Sequence, residues 1–333
     1  MRHPGAPVAV KDVSSAGVMA RQPKVSILTI TYKHEPFIAQ CIEGAMSQET
    51  RFAFEMVIGE DHSPDRTREI CLDYQRRYPE KIRLQLPERN IGRHSNFRHA
   101  YDACRGQYIA MLEGDDYWTR PDKLQTQADL LDAHPEWAIC FHNARLEGEN
   151  SGGQACFYEQ APKPVSTLED FVPRNFIPTC SCMFRRGLIP ELPEWYFDPE
   201  QTPYTDWILH VLNAAHGDVG YVHEVMAVHR RHGGGVWGST FNGTPEGDIR
   251  RLKDRITTYA RLRRCMAPRF APRIRRQMAE ECFHLGLAYR EADRFARAGA
   301  YLLRALLTAP RAEARALRPL LATLAGRRRK GTP

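Results

Sequence analysis

No apolar stretch in the 333 residues approaches the ~20 needed to cross a bilayer, which excludes a helical membrane span on sequence grounds. The first 23 residues have no sustained apolar core, so a secretory signal is not expected and the segment reads as a flexible leader. The nine cysteines are scattered, with Cys180 and Cys182 the one close pair, and no metal-finger spacing appears. Reduced thiols in a cytoplasmic protein are the expectation. Acidic residues are scarce at one end. Residues 250–333 hold 6 acids against 22 Lys/Arg, a net +16, whereas residues 1–249 hold 34 against 25, a net −9. The RRRK end at 327–330 has no aromatic beside it, although residues 250–301 hold six, and single-stranded nucleic acid is not the expected partner.

What the chain does have is concentrated at QYIAMLEGDDYWTRPDK, residues 107–123. Residues 108–112 form an apolar run of strand length. It stops at Glu113, Gly114, Asp115 and Asp116, and Pro121 opens a helical pattern through Leu124, Leu130 and Leu131. Carboxylates this close repel one another unless a cation sits among them. Hard oxygen donors suit Mg²⁺ or Mn²⁺, ions that commonly share their shell with substrate phosphates. The plain alternative is a solvated acidic turn followed by a helix cap.

Around that loop the pattern alternates. Strands are predicted at 25–31, 54–59 and 82–86, and helices follow each, with apolar positions such as Ile38, Cys41 and Ile42 at helical spacing. Alternation of this kind implies an α/β fold with a mostly parallel sheet and helices on both faces. In such sheets the ligand crevice lies outside the carboxyl ends of the strands. Thr31 with Tyr32, Glu60 with Asp61, and Glu113 to Asp116 all fall at such ends. Asp61 taken alone reads as a turn or cap residue. The convergence favours a nucleotide-diphosphate site instead.

The second half is less regular. Residues 137–142 and 179–184 read as strands, and residues 147–166 as a loop rich in Gly, Ser and Pro. In the second of those strands Cys180 and Cys182 share a face as small packing residues. Asp206 heads an amphipathic helix, where an acid is ordinarily a cap or a dipole partner. Residues 220–229 alternate into Arg230, Arg231, His232 and three glycines, a run suited to close approach of a ligand, with arginines for phosphate and His232 as a metal-ligand candidate. A flexible surface loop is the plain alternative there. Residues 246–326 read as all helix, and Leu285, Gly286, Tyr289, Ala298, Leu302, Ala305 and Pro310 fall on tetratricopeptide-repeat spacing.

The order VSILTITYK, VIGEDHSPDRT, then ERNIGRHSNFRHAYDACRGQYIAMLEGDDYW resembles the nucleotide-binding half of the family-2 glycosyltransferases, which have the GT-A fold. The resemblance covers roughly residues 24–240. It implies an inverting enzyme that uses a nucleotide-diphosphate sugar with Mn²⁺ or Mg²⁺. Carried over residue by residue, Thr31 and Tyr32 would flank the base and Asp61 would hydrogen-bond it. Asp115 would face the ribose and Asp116 the metal, with Arg93 and Asn96 as further nucleotide contacts. The family's acidic motif commonly begins with Asp, so Glu113 is a supporting residue here, as are Glu60 and Arg231. The resemblance makes Asp206 the general base and sets the Arg-x-His run, with His232 and the aromatic Trp237, at the family's closing segment.

The domains expected are a leader at 1–23, a GT-A body at 24–245 divided at 143/144, a helical extension at 246–326 with one repeat-like unit, and a basic tail at 327–333. The acceptor would be a glycan or a lipid-linked sugar in cell-surface polysaccharide assembly. The apolar face of the extension would dock on the body or on a second copy in a homodimer. Its basic face would meet an anionic membrane. A nucleotidyltransferase would want a glycine-rich basic loop after the first strand, and TYKHEPF has one Lys and no Gly. A non-catalytic adaptor on the same fold is disfavoured by the intact Asp61, Asp115, Asp116 and Asp206.

Overall fold

The computed structural model describes residues 8–148, 155–198, 204–233 and 244–309. They fall into two compact units, one ending at His232 and one beginning at Gly233.

In the first unit a strand forms at each of the four places predicted, and two of them run to seven residues. These are β2 (Val25–Thr31) and β3 (Phe54–Glu60), with the shorter β4 (Ile82–Pro87) and β5 (Tyr108–Met111) beside them. They lie in the order β4-β3-β2-β5 and pair in parallel, with Val25 opposite both Phe54 and Tyr108. All seven residues of β3 are buried, as a strand covered on both faces requires. Val25 and Ile27 pack with helices α2 (Ile38–Met46), α3 (Thr67–Arg77) and α5 (Lys123–Ala133) in one core. On the opposite face Leu28 and Ile30 meet Phe97 of α4 (Arg93–Ala103). The sheet runs to ten strands and is mixed, mostly parallel along its long strands. Its second half is built on β7 (Trp137–Gly148) and β10 (Asp218–Arg231), which pair in parallel. The short strands β6 (Tyr117–Trp118), β8 (Val165–Ser166) and β9 (Met183–Arg185) pair antiparallel.

Three local readings need correction. Residues 8–23 are not all leader: β1 (Val10–Val13) extends the sheet antiparallel to β4, and Ser15 caps α1 (Ala16–Ala20). The pull is electrostatic, since the buried guanidinium of Arg83 takes Asp12 at 2.9 Å and Ser14 at 3.0 Å as partners. Residues 179–184 are not one strand. Pro178 leads a 3-10 turn at Thr179–Ser181, so strand β9 begins only at Met183, and Cys180 and Cys182 are buried without sharing a strand face. The strand that begins at Trp137 runs on to Gly148, twice the length expected, because β10 offers it a partner throughout. Residues 149–154 of the loop lie outside the described residues.

The second unit is helical over its described length, with α8 (Pro245–Cys265), α9 (Ala271–Glu291) and α10 (Phe295–Thr308). Thr244 caps α8 by accepting from the Gly247 amide, with Pro245 at the first helical position. Glu246 and Asp248 at its start and Arg263 and Arg264 at its end complement the helix dipole. Gly286 allows α9 and α10 to approach closely, because a Cβ there would lie 2.7 Å from Leu302 Cγ. Leu285, Tyr289, Ala298 and Ala305 are buried between the helices, whereas Leu303 and Leu307 of α10 are exposed. Pro310, residues 311–326 and the basic tail lie outside the described residues. No helix among those described is long and apolar enough to cross a membrane.

Candidate functional site

The parallel strands deliver the acidic loop to the carboxyl edge of the sheet, as the strand order requires. Gly114 then packs the loop against β2: its amide donates to Ile30 O at 3.1 Å, and a Cβ there would lie 2.5 Å from Thr31 Oγ1 and 2.9 Å from His34 Nδ1. Only glycine fits that approach.

Beyond Gly114 the two aspartates diverge. Asp116 is fully buried, and both its oxygens already accept hydrogen bonds, Oδ1 from the Arg230 amide at 2.8 Å and Oδ2 from His229 Nδ1 at 3.0 Å. Burial pulls His229 down, but the hydrogen bond to Asp116 and the charges of Asp116, Glu113 and Asp115 outweigh it and raise its pKa to about 9. Asp116 therefore anchors the end of β10 to the acidic loop. Cys180 also lies beside it, with a donor atom within 4.8 Å of those of Asp116 and His229, and burial first and Asp116 second push that thiol well up.

Asp115 faces the other way. Its Oδ2 lies 3.0 Å from His232 Nε2 and 3.8 Å from His34 Nε2, and one donor atom from each of the three residues lies within 4.8 Å of the others. Burial alone would raise the Asp115 carboxyl, but the His232 hydrogen bond and the His34 imidazole bring it below its ordinary value. The same Asp115 hydrogen bond raises His232, while burial lowers His34. The His232 ring lies on Phe37, with centroids 4.8 Å apart. Sequence reasoning set the metal on Asp116 and His232 and the ribose on Asp115. The geometry brings His232 to Asp115 and pairs Asp116 with β10, while donor atoms of Glu113, Asp115 and Asp116 also lie within 4.8 Å of one another. A divalent cation fits the Asp115, His232 and His34 donors, one carboxylate oxygen and two imidazole nitrogens.

Arg230, rather than Arg231, joins the loop. Its guanidinium donates to Asp115 O at 2.8 Å, to Glu147 at 3.3 Å and to Gln40, and lies 4.4 Å over the Tyr117 ring. Arg231 is exposed, since neighbours along a strand point to opposite faces. Gly234, Gly235, Val236 and Trp237 of that run lie outside the described residues.

At the ends of β2 and β3 the Asp61 amide donates to Thr31 O at 3.1 Å. Asp61 itself is buried, and its carboxylate accepts from the Ile91 amide at 2.8 Å and Asn90 Nδ2 at 3.0 Å, while burial raises its pKa. Tyr32 is 38% exposed at the same edge, with Lys33 Nζ 5.2 Å from its ring centroid. Glu60, expected as a supporting residue, and Asn96, expected as a nucleotide contact, both make internal contacts. Glu60 is buried, pairs with Arg68 and accepts from the Ser63 amide at 2.7 Å, which fixes the turn after β3. Asn96 is buried and donates to Gly59 O at 2.8 Å, where a Gly59 Cβ would come within 2.6 Å of its Oδ1. It straps α4 to β3. Arg93 opens α4 and is half-buried.

On the α4 face a small cavity is lined by Glu113, Asp206, Thr205, Tyr196 and Phe97 with Leu28, Ile30 and Met111. Asp206 stands in the first turn of α7 (Thr205–Ala214), and its Oδ2 accepts from Asn175 Nδ2 at 2.8 Å and Thr179 Oγ1 at 3.4 Å. Glu113 is driven up to about 8 by burial first, and then by the charges of Asp115, Asp116 and Asp206. Sequence reasoning did not single out His34, His229, Gln40 or Asn90. Of these, His34 and His229 carried a weak signal as histidines beside singled-out motifs.

The chain as a whole is similar to known proteins. The model of "Glycosyl transferase family 2" matches residues 26–192. An uncharacterized protein of Mycobacterium tuberculosis is 38% identical over 65% of this chain, and the match spans 61% of that relative's length. An uncharacterized glycosyltransferase of Nostoc is 24% identical over 68% of this chain and 70% of its own. Among solved structures, S. aureus TarS 1–349 in complex with UDP-GlcNAc superposes with a TM-score of 0.59 at 16% identity, over 86% of this chain and 84% of that one. A Pyrobaculum calidifontis mannosyltransferase in complex with GDP-Man and Mn²⁺ gives 0.54 at 17% identity, over 97% and 84%. At those identities the structures show the shared GT-A architecture alone. The family match spans half of the chain, and on it this protein belongs to family 2 of the glycosyltransferases.

Proposed function

We propose that the chain transfers a sugar from a nucleotide-diphosphate donor to an acceptor hydroxyl with inversion at the anomeric carbon, using a divalent metal. The observation that carries this is the meeting of Asp115 and His232 on the acidic loop, beside the strand ends that hold Thr31, Tyr32 and Asp61. Support also comes from the ligands in complex with the two solved structures, UDP-GlcNAc in one and GDP-Man with Mn²⁺ in the other.

In this reading Asp115 and His232 hold Mn²⁺ or Mg²⁺, and Asp116 positions them by clamping β10. When bound, the ion supplies electrostatic stabilisation of the charge that builds on the departing diphosphate. The chain's own residues do the rest. Tyr32 is the exposed ring available to a base, and Asp61 closes the crevice behind it. Asp206 takes the proton from the acceptor hydroxyl as the oxygen attacks the anomeric carbon and the bond to the diphosphate breaks. Asn175 and Thr179 hold its Oδ2 and leave Oδ1 for the acceptor. No covalent intermediate is needed, because a single displacement inverts the centre. The helical unit, with its repeat-like α9–α10 pair, would carry its basic face towards an anionic surface bearing a glycan or lipid-linked acceptor.

Substitution Asp206→Asn tests the base. Donor affinity by calorimetry should stay at the wild-type level while turnover falls, since only a transition-state interaction is removed. Near-normal turnover would return Asp206 to a helix-start role. Product NMR showing a retained anomeric configuration would refute the single displacement.

A further inference from the structure

We propose that His34 is a third protein ligand to the divalent cation, through Nε2 and beside Asp115 and His232, and that this set makes the site select Mn²⁺ over Mg²⁺. The inference rests on the metal position argued above and extends it to a residue outside the acidic loop and outside the β10 end. His34 Nδ1 lies 3.2 Å from Thr31 Oγ1. With Nδ1–H donating to that hydroxyl, the unshared pair on Nε2 faces Asp115 Oδ2 at 3.8 Å. That distance is too long for a hydrogen bond, whereas two donors around one cation can stand apart by it. A hydrogen bond on the remote nitrogen is the usual way in which a ligating imidazole is oriented. The His34 and His232 rings meet edge to face with centroids 6.1 Å apart, so both nitrogens converge on Asp115 from different directions. Gly114 matters here too, because any side chain on it would push against His34.

Donor chemistry gives the selectivity. Mg²⁺ demands near-octahedral oxygen coordination and keeps several waters, whereas affinity for nitrogen donors begins at Mn²⁺, weakly, and rises through the later divalent ions. A site with two imidazoles and one carboxylate should take Mn²⁺ without any nucleotide present, and should take Mg²⁺ poorly.

The test uses the full chain and Mn²⁺ alone, followed by calorimetry and by pulsed electron paramagnetic resonance of the bound ion. Two directly coordinated imidazole nitrogens are expected in the wild type and one each in His34→Gln and His232→Gln. The Mn²⁺ affinity of His34→Gln should fall by at least about tenfold, the lower end seen for lost outer-shell partners. Its preference for Mn²⁺ over Mg²⁺ should narrow. A single nitrogen in the wild type, uptake of Mn²⁺ only when a nucleoside diphosphate is added, or wild-type affinity in His34→Gln would each overturn the assignment of His34. If Asp115→Ala and His232→Gln also leave Mn²⁺ binding untouched, the metal position itself is wrong. The nitrogen count in the wild type needs no variant to fold.

Discussion

Asp116→Asn separates an anchor from a metal ligand. The substitution keeps the size of the side chain and an oxygen for the Arg230 amide, but removes the charge that faces His229. In the folded wild type His229 titrates near about 9, against 6.5 for a free histidine. At about 1.4 kcal/mol per pKa unit, that difference corresponds to roughly 3 kcal/mol of folding stability. The sign follows from the raised value. The contribution is complete below pH 6.5 and is lost as pH climbs through 9, because the folded state then gives up a proton that the unfolded state has already released. Urea unfolding of both proteins in EDTA should therefore show the variant less stable at pH 6, by at most about 3 kcal/mol because Glu113 and Asp115 still raise His229, with the gap narrowing by pH 10. An NMR titration should find the His229 pKa lowered in the variant. A gap that ignores pH, or unchanged stability with Mn²⁺ affinity abolished, would refute the anchor and make Asp116 the metal ligand.

Gly114→Ala should cost about 1–3 kcal/mol by overpacking against Thr31 and His34, and should weaken Mn²⁺ binding by displacing His34; thermal unfolding and calorimetry check both. Lys123 is fully buried, with Nζ 3.8 Å from the centroid of the Trp118 ring and no hydrogen-bond partner among the described residues, and burial pulls its pKa to about 7. Its folded value lies below the unfolded 10.5, so stability should rise with pH between the two. Lys123→Met should then stabilise the fold at pH 7 by about 1–4 kcal/mol and by less at pH 10, whereas destabilisation at pH 7 would contradict this. Flotation with anionic vesicles should show binding that is lost as salt rises, since exposed charges are screened over about 8 Å at physiological ionic strength. Binding indifferent to salt would leave the basic residues as a solvated surface.

Much of the body was legible because it is local. The run VSILTIT is a strand of the length and place read from its β-branched residues, and the acids fall at strand ends because the period changes there. The pairing of Asp116 with His229 and Arg230 was not legible, since it joins residues 113 and 114 positions apart through the antiparallel β6–β10 pairing. For the same reason the choice between Arg230 and Arg231 depends on strand register, which shifts at bulges inside β10. Glu60 and Asn96 illustrate another limit. A polar residue at a crevice edge carries the same signature whether it meets ligand or backbone, and here Arg68 and Gly59 had already taken them. His34 was hidden in a tetrad, TYKH, whose histidine gains meaning only when Asp115 is beside it.

The central claim is that a nucleotide-diphosphate sugar binds at this sheet edge through a metal on Asp115. Calorimetric titration of UDP-, GDP- and dTDP-sugars, with Mn²⁺ and with EDTA, into the wild type and into Asp115→Ala tests it most directly. At least one donor should bind the wild type in Mn²⁺, and that binding should vanish in EDTA and in the variant. Donor binding that survives both, or none by any donor in Mn²⁺, would contradict it.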